Sequence, residues 1–294
     1  MKPLPPVIKW FGSKRPVAQL LSEHFRTANT YFEPFVGGGA MLPFARCAKG
    51  YASDIIPELI DLWNLIKTEP KLVAEEYRMR WQRLQKEGPC VYYEIRDSFN
   101  KTRNCLDFLF ITRTCVNGMI RYNSDGEFNN SFHLSRPGIN PDTLEKILYQ
   151  WSHAIKKITF LNVDYRECLS NAAKGDFVFL DPPYGGTKDR YTHSEFNLHD
   201  FYNELDRLNS IGVYWMLTFD GSSGDRVYNY SPPTEVYKHR FSVNTGISAF
   251  SRLIDKKKDE ISESVYLNFE PSNVFGGLFD EFFNNSTSAV SAQM

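Results

Sequence analysis

An acid, two prolines and an aromatic ring, Asp181-Pro182-Pro183-Tyr184, follow the apolar run Phe177-Val178-Phe179-Leu180. A buried strand that ends on a carboxylate sets it at the sheet edge where open α/β proteins hold ligands. Proline lacks an amide donor, fixes φ and drives the residue before it toward extended geometry. The turn therefore presents the Asp181 carboxylate and its neighbouring carbonyls rigidly. Tyr184 adds a flat face beside these fixed acceptors.

Two earlier segments have the same strand-then-turn form. Tyr31-Phe32-Glu33-Pro34-Phe35-Val36 reads as a short buried strand running into Gly37-Gly38-Gly39, with a helix expected to begin at Ala40-Met41-Leu42. Glycine allows close backbone approach to a ligand and positive φ, and a following helix turns its amides toward it. Gly50-Tyr51-Ala52-Ser53 reads as a second strand ending in Asp54, followed by a helix over 57–67 with Pro57 at its first position. An acid at such a strand tip accepts hydrogen bonds from both hydroxyls of a ribose.

The elements that position these groups alternate between strand and helix, except over residues 67–151. There the pattern predicts a polar helix over 70–86, an apolar helix over 107–115, and a hairpin turning at Asp125-Gly126 that carries Arg121, Tyr122, Asn123 and Asn129. Asn140 caps a return helix with Pro141 first and an apolar stripe of Leu144, Ile147, Leu148, Trp151 and Ile155. Strands are then expected over 158–162, 176–181, 212–219, 235–240 and 262–267, the last two as an antiparallel pair at the sheet edge. The reading is an α/β chain with one domain from 1–66 and 152–270, a mainly helical subdomain inserted at 67–151, and a tail at 271–294, disordered from Asn284 onward.

Composition narrows the class. The 294 residues carry a net charge of −1, which argues against wholesale polyanion binding, although between Arg96 and Arg136 six basic residues face four acidic ones. No apolar stretch approaches the ~20 residues of a membrane span, and Met1 to Pro6 lacks a signal-peptide core. A cytoplasmic protein is expected. Five cysteines without a C-x-x-C pair suggest neither a disulfide framework nor a zinc site.

Taken together, Glu33 to Gly39, then Asp181 to Tyr184 after an insertion, resemble the α class of DNA adenine-N6 methyltransferases. The resemblance extends to Ile8-Lys9-Trp10-Phe11-Gly12-Ser13-Lys14-Arg15 and, in the insertion, to Asn117-Gly118-Met119-Ile120-Arg121-Tyr122-Asn123 and Gly126-Glu127-Phe128-Asn129. It covers roughly residues 8–268. It implies a Rossmann-like sheet, S-adenosylmethionine as methyl donor with no metal, and an inserted target-recognition region. By motif, Trp10 and Lys14 would approach the methionine end of the donor, Phe35, Gly37 and Gly39 would line the same wall, Asp54 would meet the ribose, and Asp164 and Tyr165 would lie near the donor's adenine.

The target adenine would be flipped out of the duplex, since its amine cannot be reached inside the stack. Asp181, which also borders the donor, and the Pro182 carbonyl would accept its two N–H groups, with Tyr184 stacked on the ring. An Asp at position 181, where cytosine-N4 enzymes would carry Ser, favours adenine. Lys9, Arg113, Asn117, Arg121, Tyr122, Asn123, Asn129 and Arg136 are the expected contacts to double-stranded DNA, with Arg121 and Asn123 reading bases or filling the gap left by the flipped one. Lys238, His239, Arg240, Arg252 and Lys256 to Lys258 form a second basic group for phosphates.

Residues Asn130 to Pro137 depart from the Val-Pro-Phe-Gly type segment of members that read GATC, while Tyr92 to Phe110 looks closer to methylases of type II restriction systems, including those reading GATATC. The expected role is protection of host DNA, with a restriction endonuclease as counterpart in function only and a monomer acting on DNA. A cytosine-N4 or RNA methyltransferase, or a non-catalytic DNA-binding module, are the alternatives. A nicotinamide oxidoreductase fits less well, because the full G-x-G-x-x-G spacing is absent.

Overall fold

The computed structural model describes residues 2–183, 196–223, 226–228, 231–247 and 260–271. At its centre lies one sheet. Strands β1 (Ala28–Glu33), β2 (Cys47–Ser53), β3 (Ile158–Leu161), β4 (Phe177–Leu180) and β5 (Tyr214–Ser223) run parallel, and β7 (His239–Ile247) and β8 (Glu260–Leu267) complete it antiparallel, in the order β3-β2-β1-β4-β5-β8-β7. A short β6 (Arg226–Tyr228) pairs with β5 off this path. The chain moves outward from β1 through β2 to β3, then returns to the other side of β1 at β4. Such a reversal opens a crevice at the carboxyl ends of the strands. Here the reversal lies between β1 and β4, the two strands that lead into Gly37 and Asp181.

Local chemistry accounts for the elements. The strand β4 is apolar and fully buried, as a strand covered on both faces must be. Buried Asp176 ties its start to the neighbours, one carboxylate oxygen accepting from the Thr30 amide at 3.0 Å and the other from the Ala173 amide at 2.9 Å. Helix α1 (Ala18–Ser22) precedes β1. Helix α2 (Pro57–Thr68) begins with proline and buries Leu59, Ile60, Leu62, Trp63 and Ile66. Between α2 and β3 lie α3 (Pro70–Glu87), α4 (Cys90–Thr102), α5 (Cys105–Thr114) and α6 (Pro141–Ala154). Asn104 caps α5 through the Leu106 and Asp107 amides, and Asn140 caps α6 through the Asp142 and Thr143 amides. The α6 stripe is core: Trp151 packs on Trp63 of α2 with ring centroids 5.0 Å apart. Helices α7 (Tyr165–Leu169) and α8 (Leu198–Ser210) complete the second face, α8 burying Phe201, Leu205 and Leu208.

Two local expectations need correction. No α-helix follows the glycine turn; a single 3-10 turn at Leu42–Phe44 containing Pro43 stands there, and Ala45 is already extended toward β2. A strand does not begin at Glu235, because Pro233 opens a turn closed by the Val236 amide at 3.1 Å, and pairing starts only at His239. The hairpin at Asp125-Gly126 is present and short: the Asn123 amide donates to the Glu127 carbonyl at 2.9 Å and the Asn129 amide to the Arg121 carbonyl at 3.0 Å, on either side of the Tyr122–Phe128 bridge. Helices α1, α4, α7 and α8 are additions to the elements read from sequence.

Candidate active site

The glycine turn is shaped by what crowds it. Gly37 and Gly39 adopt φ of +43° and +65°. A Cβ on Gly37 would lie 2.4 Å from the Trp10 indole nitrogen, and one on Gly39 would lie 3.0 Å from Trp63. The turn is also bonded to its surroundings: the Gly37 amide donates to Asp54 Oδ2 at 3.1 Å and the Trp63 indole donates to the Gly37 carbonyl at 3.0 Å. Asp54 accepts the Ile56 amide on its other oxygen at 3.3 Å, and its carbonyl accepts from Asn162 beyond β3 at 2.9 Å. Three strand ends are thereby linked.

Beyond β3, Asp164 caps α7 by accepting the Arg166 amide at 3.0 Å and pairs with the Arg166 guanidinium at 2.8 Å. Tyr165 stacks on Phe35 at 5.5 Å, and Phe196 and Phe201 meet Phe35 edge-on, which builds an aromatic wall. Burial pushes the Tyr165 phenol up to about 12, so it is a neutral ring at physiological pH.

Asp181 Oδ1 receives two donors, Lys14 Nζ at 2.8 Å and the Thr218 hydroxyl at 2.9 Å. Burial raises the Asp181 carboxyl above the usual range; Lys14 opposes the rise and Glu263 adds to it. Glu33, 2 % exposed at the end of β1, accepts the Tyr31 hydroxyl at 2.8 Å. Burial lifts its carboxyl to about 8, partly countered by that hydrogen bond and reinforced by Asp181.

These groups border one cleft of about 390 Å³, within the size range of small-molecule sites. Trp10, Lys14, Phe35, Gly37, Gly39, Asp54, Asp164, Tyr165 and Asp181, each a candidate donor contact from sequence, all line it, as does Pro182. Tyr184 lies outside the described residues. The sequence reading missed Glu33 as a titrating group, Thr218, Glu263 and Phe196. A carboxylate inside the apolar run Tyr31 to Val36 is a signal that could have found Glu33. Nothing local marks Glu263, which arrives from the antiparallel edge.

The insertion residues separate into groups. Arg121 is exposed and its guanidinium donates to Asn129 Oδ1 at 2.8 Å. Arg136 is exposed, and Asn117 stands in a left-handed conformation at φ 57°. Lys9 lies against Gly118, where a Cβ would meet its side chain at 2.3 Å, so the residue beside Trp10 touches the insertion directly. Its ammonium is pushed down by burial and by the nearby Arg113 and Arg136.

Other candidates are engaged internally. Arg113 is 6 % exposed and donates to the Pro6 carbonyl at 3.2 Å, which removes it from direct contact with phosphate. The Tyr122 hydroxyl donates to Glu58 of α2 at 3.2 Å. Asn123 Oδ1 accepts the Asp125 and Glu127 amides and thus shapes the turn it was expected to project from. Arg240 donates to Ser264 at 3.0 Å and covers the Tyr266 ring, and His239 pairs with Glu270 at 2.9 Å. Arg252 and Lys256 to Lys258 lie outside the described residues. Among the described residues no helix is long and apolar enough to cross a membrane, and no group of three or more His, Cys, Asp or Glu could hold a metal ion.

Comparison with known proteins matches residues 10–247 to the family described as D12 class N6 adenine-specific DNA methyltransferase. A DNA adenine methylase of Vibrio cholerae is 32 % identical over 181 residues, covering 60 % of this chain and 64 % of that protein. The DNA adenine methylase of Escherichia coli is 31 % identical over 184 residues, with the same coverage of 60 % and 64 %. The chain thus spans less than two thirds of the length of these methylases. The Type II methyltransferase M.MjaIII of Methanocaldococcus jannaschii is 28 % identical over 292 residues, covering 90 % of this chain and 99 % of that protein.

Proposed function

This chain belongs to the D12 class N6 adenine-specific DNA methyltransferase family, and from that membership we propose that it transfers a methyl group from S-adenosylmethionine to N6 of an adenine flipped out of a short site in double-stranded DNA. The observation that carries the reading is the convergence of the glycine turn after β1, Asp54 after β2, Asp164 and Tyr165 after β3, and Asp181 after β4 on a single cleft.

The residues present suit the donor. S-adenosylmethionine supplies, when bound, an electrophilic methyl on a positively charged sulfur. The cleft offers glycines with no room for a side chain, a carboxylate at Asp54, an aromatic wall at Phe35 and Tyr165, and the Asp181 carboxyl for a cationic ligand. Trp10, Phe35, Gly37, Gly39, Asp54, Asp164 and Tyr165 would hold it.

The reaction asks little covalent chemistry of the protein. The lone pair of an adenine amine is delocalised into the ring, so the enzyme must favour a pyramidal nitrogen and stabilise the positive charge that develops there. Asp181 accepting one N–H and the Pro182 carbonyl accepting the other achieve both by orientation and electrostatics. Tyr184 would stack on the extruded base and offset part of the lost stacking.

Residues 67–151 act in this reading as the target-recognition region, with Lys9, Arg121, Asn129 and Arg136 meeting DNA. The nearly end-to-end alignment with a type II methyltransferase supports a role as the modification enzyme of a restriction system. The test is incubation of the protein with labelled S-adenosylmethionine and mixed-sequence duplex DNA, digestion to nucleosides and sequencing of modified positions. N6-methyladenine in one short motif supports the reading; N4-methylcytosine, or transfer to RNA alone, replaces it.

A further inference from the structure

Lys14 is only 3 % exposed, and its ammonium is shared between two carboxylates. Nζ lies 2.8 Å from Asp181 Oδ1 and 3.3 Å from Glu263, and also donates to the Gly12 carbonyl at 3.2 Å. Glu263 reaches it from β8, where it is 7 % exposed. On β5, the strand between β4 and β8, Thr218 donates to the same oxygen of Asp181 at 2.9 Å. With Oδ1 engaged by Lys14 and Thr218, Oδ2 is the oxygen left for a ligand in the cleft.

One lysine with one carboxylate makes a neutral pair; one lysine with two leaves a net negative charge. The difference matters where a positive charge develops on the accepting nitrogen, because charge effects are strong in a site of low dielectric. A neutral Lys14–Asp181 pair would offer that nitrogen little. A second carboxylate offsets the ammonium and lets the charge of Asp181 act toward the cleft.

We propose that Glu263 is a positioning residue for methyl transfer, acting through Lys14: it holds the ammonium, offsets its charge, and leaves Asp181 facing the cleft as a net anionic acceptor. The inference rests on the adenine-transfer reading. Among the described residues, the ionisable groups that act on Asp181 include Lys14 from the N-terminal segment, Glu263 from β8 and Glu33 from β1, with the Thr218 hydroxyl from β5.

The test is Glu263→Gln, which keeps shape and an acceptor for Lys14 while removing the charge, with Glu263→Asp as the charge-retaining partner. Expected for Glu263→Gln is a fall in kcat of about tenfold or more with KM for donor and DNA changed far less. The acid limb of its rate profile should move to lower pH, because the carboxylate that raises Asp181 is gone. Glu263→Asp should recover most of the turnover.

Carbon-13 carboxyl spectra, with Asp181 identified by its loss in Asp181→Asn, supply a readout without turnover: Asp181 should titrate at lower pH in Glu263→Gln. A folded Glu263→Gln protein with unchanged turnover and acid limb overturns the proposal. So does a rate loss with an unmoved acid limb, or equal loss in both variants, since either makes the role structural. A wild-type protein that methylates no adenine refutes the functional reading instead, and the spectra still decide whether Glu263 governs Asp181.

Discussion

The Trp63 indole donates to the Gly37 carbonyl at 3.0 Å, so the turn bordering the cleft is braced from behind by α2. Trp63 is itself fixed, fully buried between Trp151 at 5.0 Å and Phe160 at 5.8 Å. Trp63→Phe keeps a stacked ring and deletes the bond. It should lower stability by about 1–2 kcal/mol and weaken donor binding several-fold, measured by denaturant unfolding and equilibrium binding of labelled S-adenosylmethionine. Unaltered donor affinity would detach the brace from the site.

Gly37→Ala tests the front of the same turn. The backbone there is left-handed and the new methyl would sit 2.4 Å from the Trp10 nitrogen. Strain of about 1–2 kcal/mol is expected together with a displaced Trp10 and lost donor binding. Gly88→Ala is the control, since φ is +86° with open space around the position; it should carry strain alone and bind the donor normally.

Asp181→Asn removes the charge of the proposed acceptor. Transfer should fall by about 10²–10³ or more while binding of cognate duplex, followed by gel shift, is retained. Persistent turnover would remove Asp181 from the chemistry.

Glu33 makes stability depend on pH. Its carboxyl is lifted from 4.5 to about 8 in the folded protein, chiefly by burial, so between these values the folded state holds a proton that the unfolded chain has lost. The contribution of this group should therefore be fully present below pH 4.5, be lost as pH rises to about 8, and level off above it, with a total cost on the order of 5 kcal/mol. Glu33→Gln should be clearly more stable than wild type at pH 8 and close to it at pH 4.5. Parallel melting curves across that range would contradict the assignment.

Arg121 is exposed on the insertion with its guanidinium 2.8 Å from Asn129. Arg121→Ala should relax discrimination between cognate and altered sites by about 1–3 kcal/mol, read as the ratio of kcat/KM values, without changing donor affinity. An unchanged ratio would place base reading elsewhere on the insertion.

Much was legible because the signals are local. Apolar runs, prolines and glycines in succession specify β1 with its glycine turn and β4 with its Pro-Pro turn, and Asn104 and Asn140 act through amides two or three residues away. Arg113 shows the limit of such reading: its charge suggests phosphate, yet it is spent on the Pro6 carbonyl 107 residues away in the chain. Asn123 shows the same, its side chain consumed by its own turn.

The sequence by itself determined the α/β alternation and the glycine, Asp54 and Asp181 turns at its strand ends, because each rests on propensity and spacing within a few residues, while Trp10, Lys14, Phe35, Asp164 and Tyr165 were reached through the family resemblance and line the same cleft. Only the tertiary structure decided the electrostatics. Lys14, Asp181 and Glu263 are 167 and 82 residues apart along the chain and meet within 3.3 Å because β8 turns back antiparallel beside β5. The buried state of Glu33 likewise depends on what covers β1. Charge and burial are set by which distant segments pack together, and no local pattern encodes that.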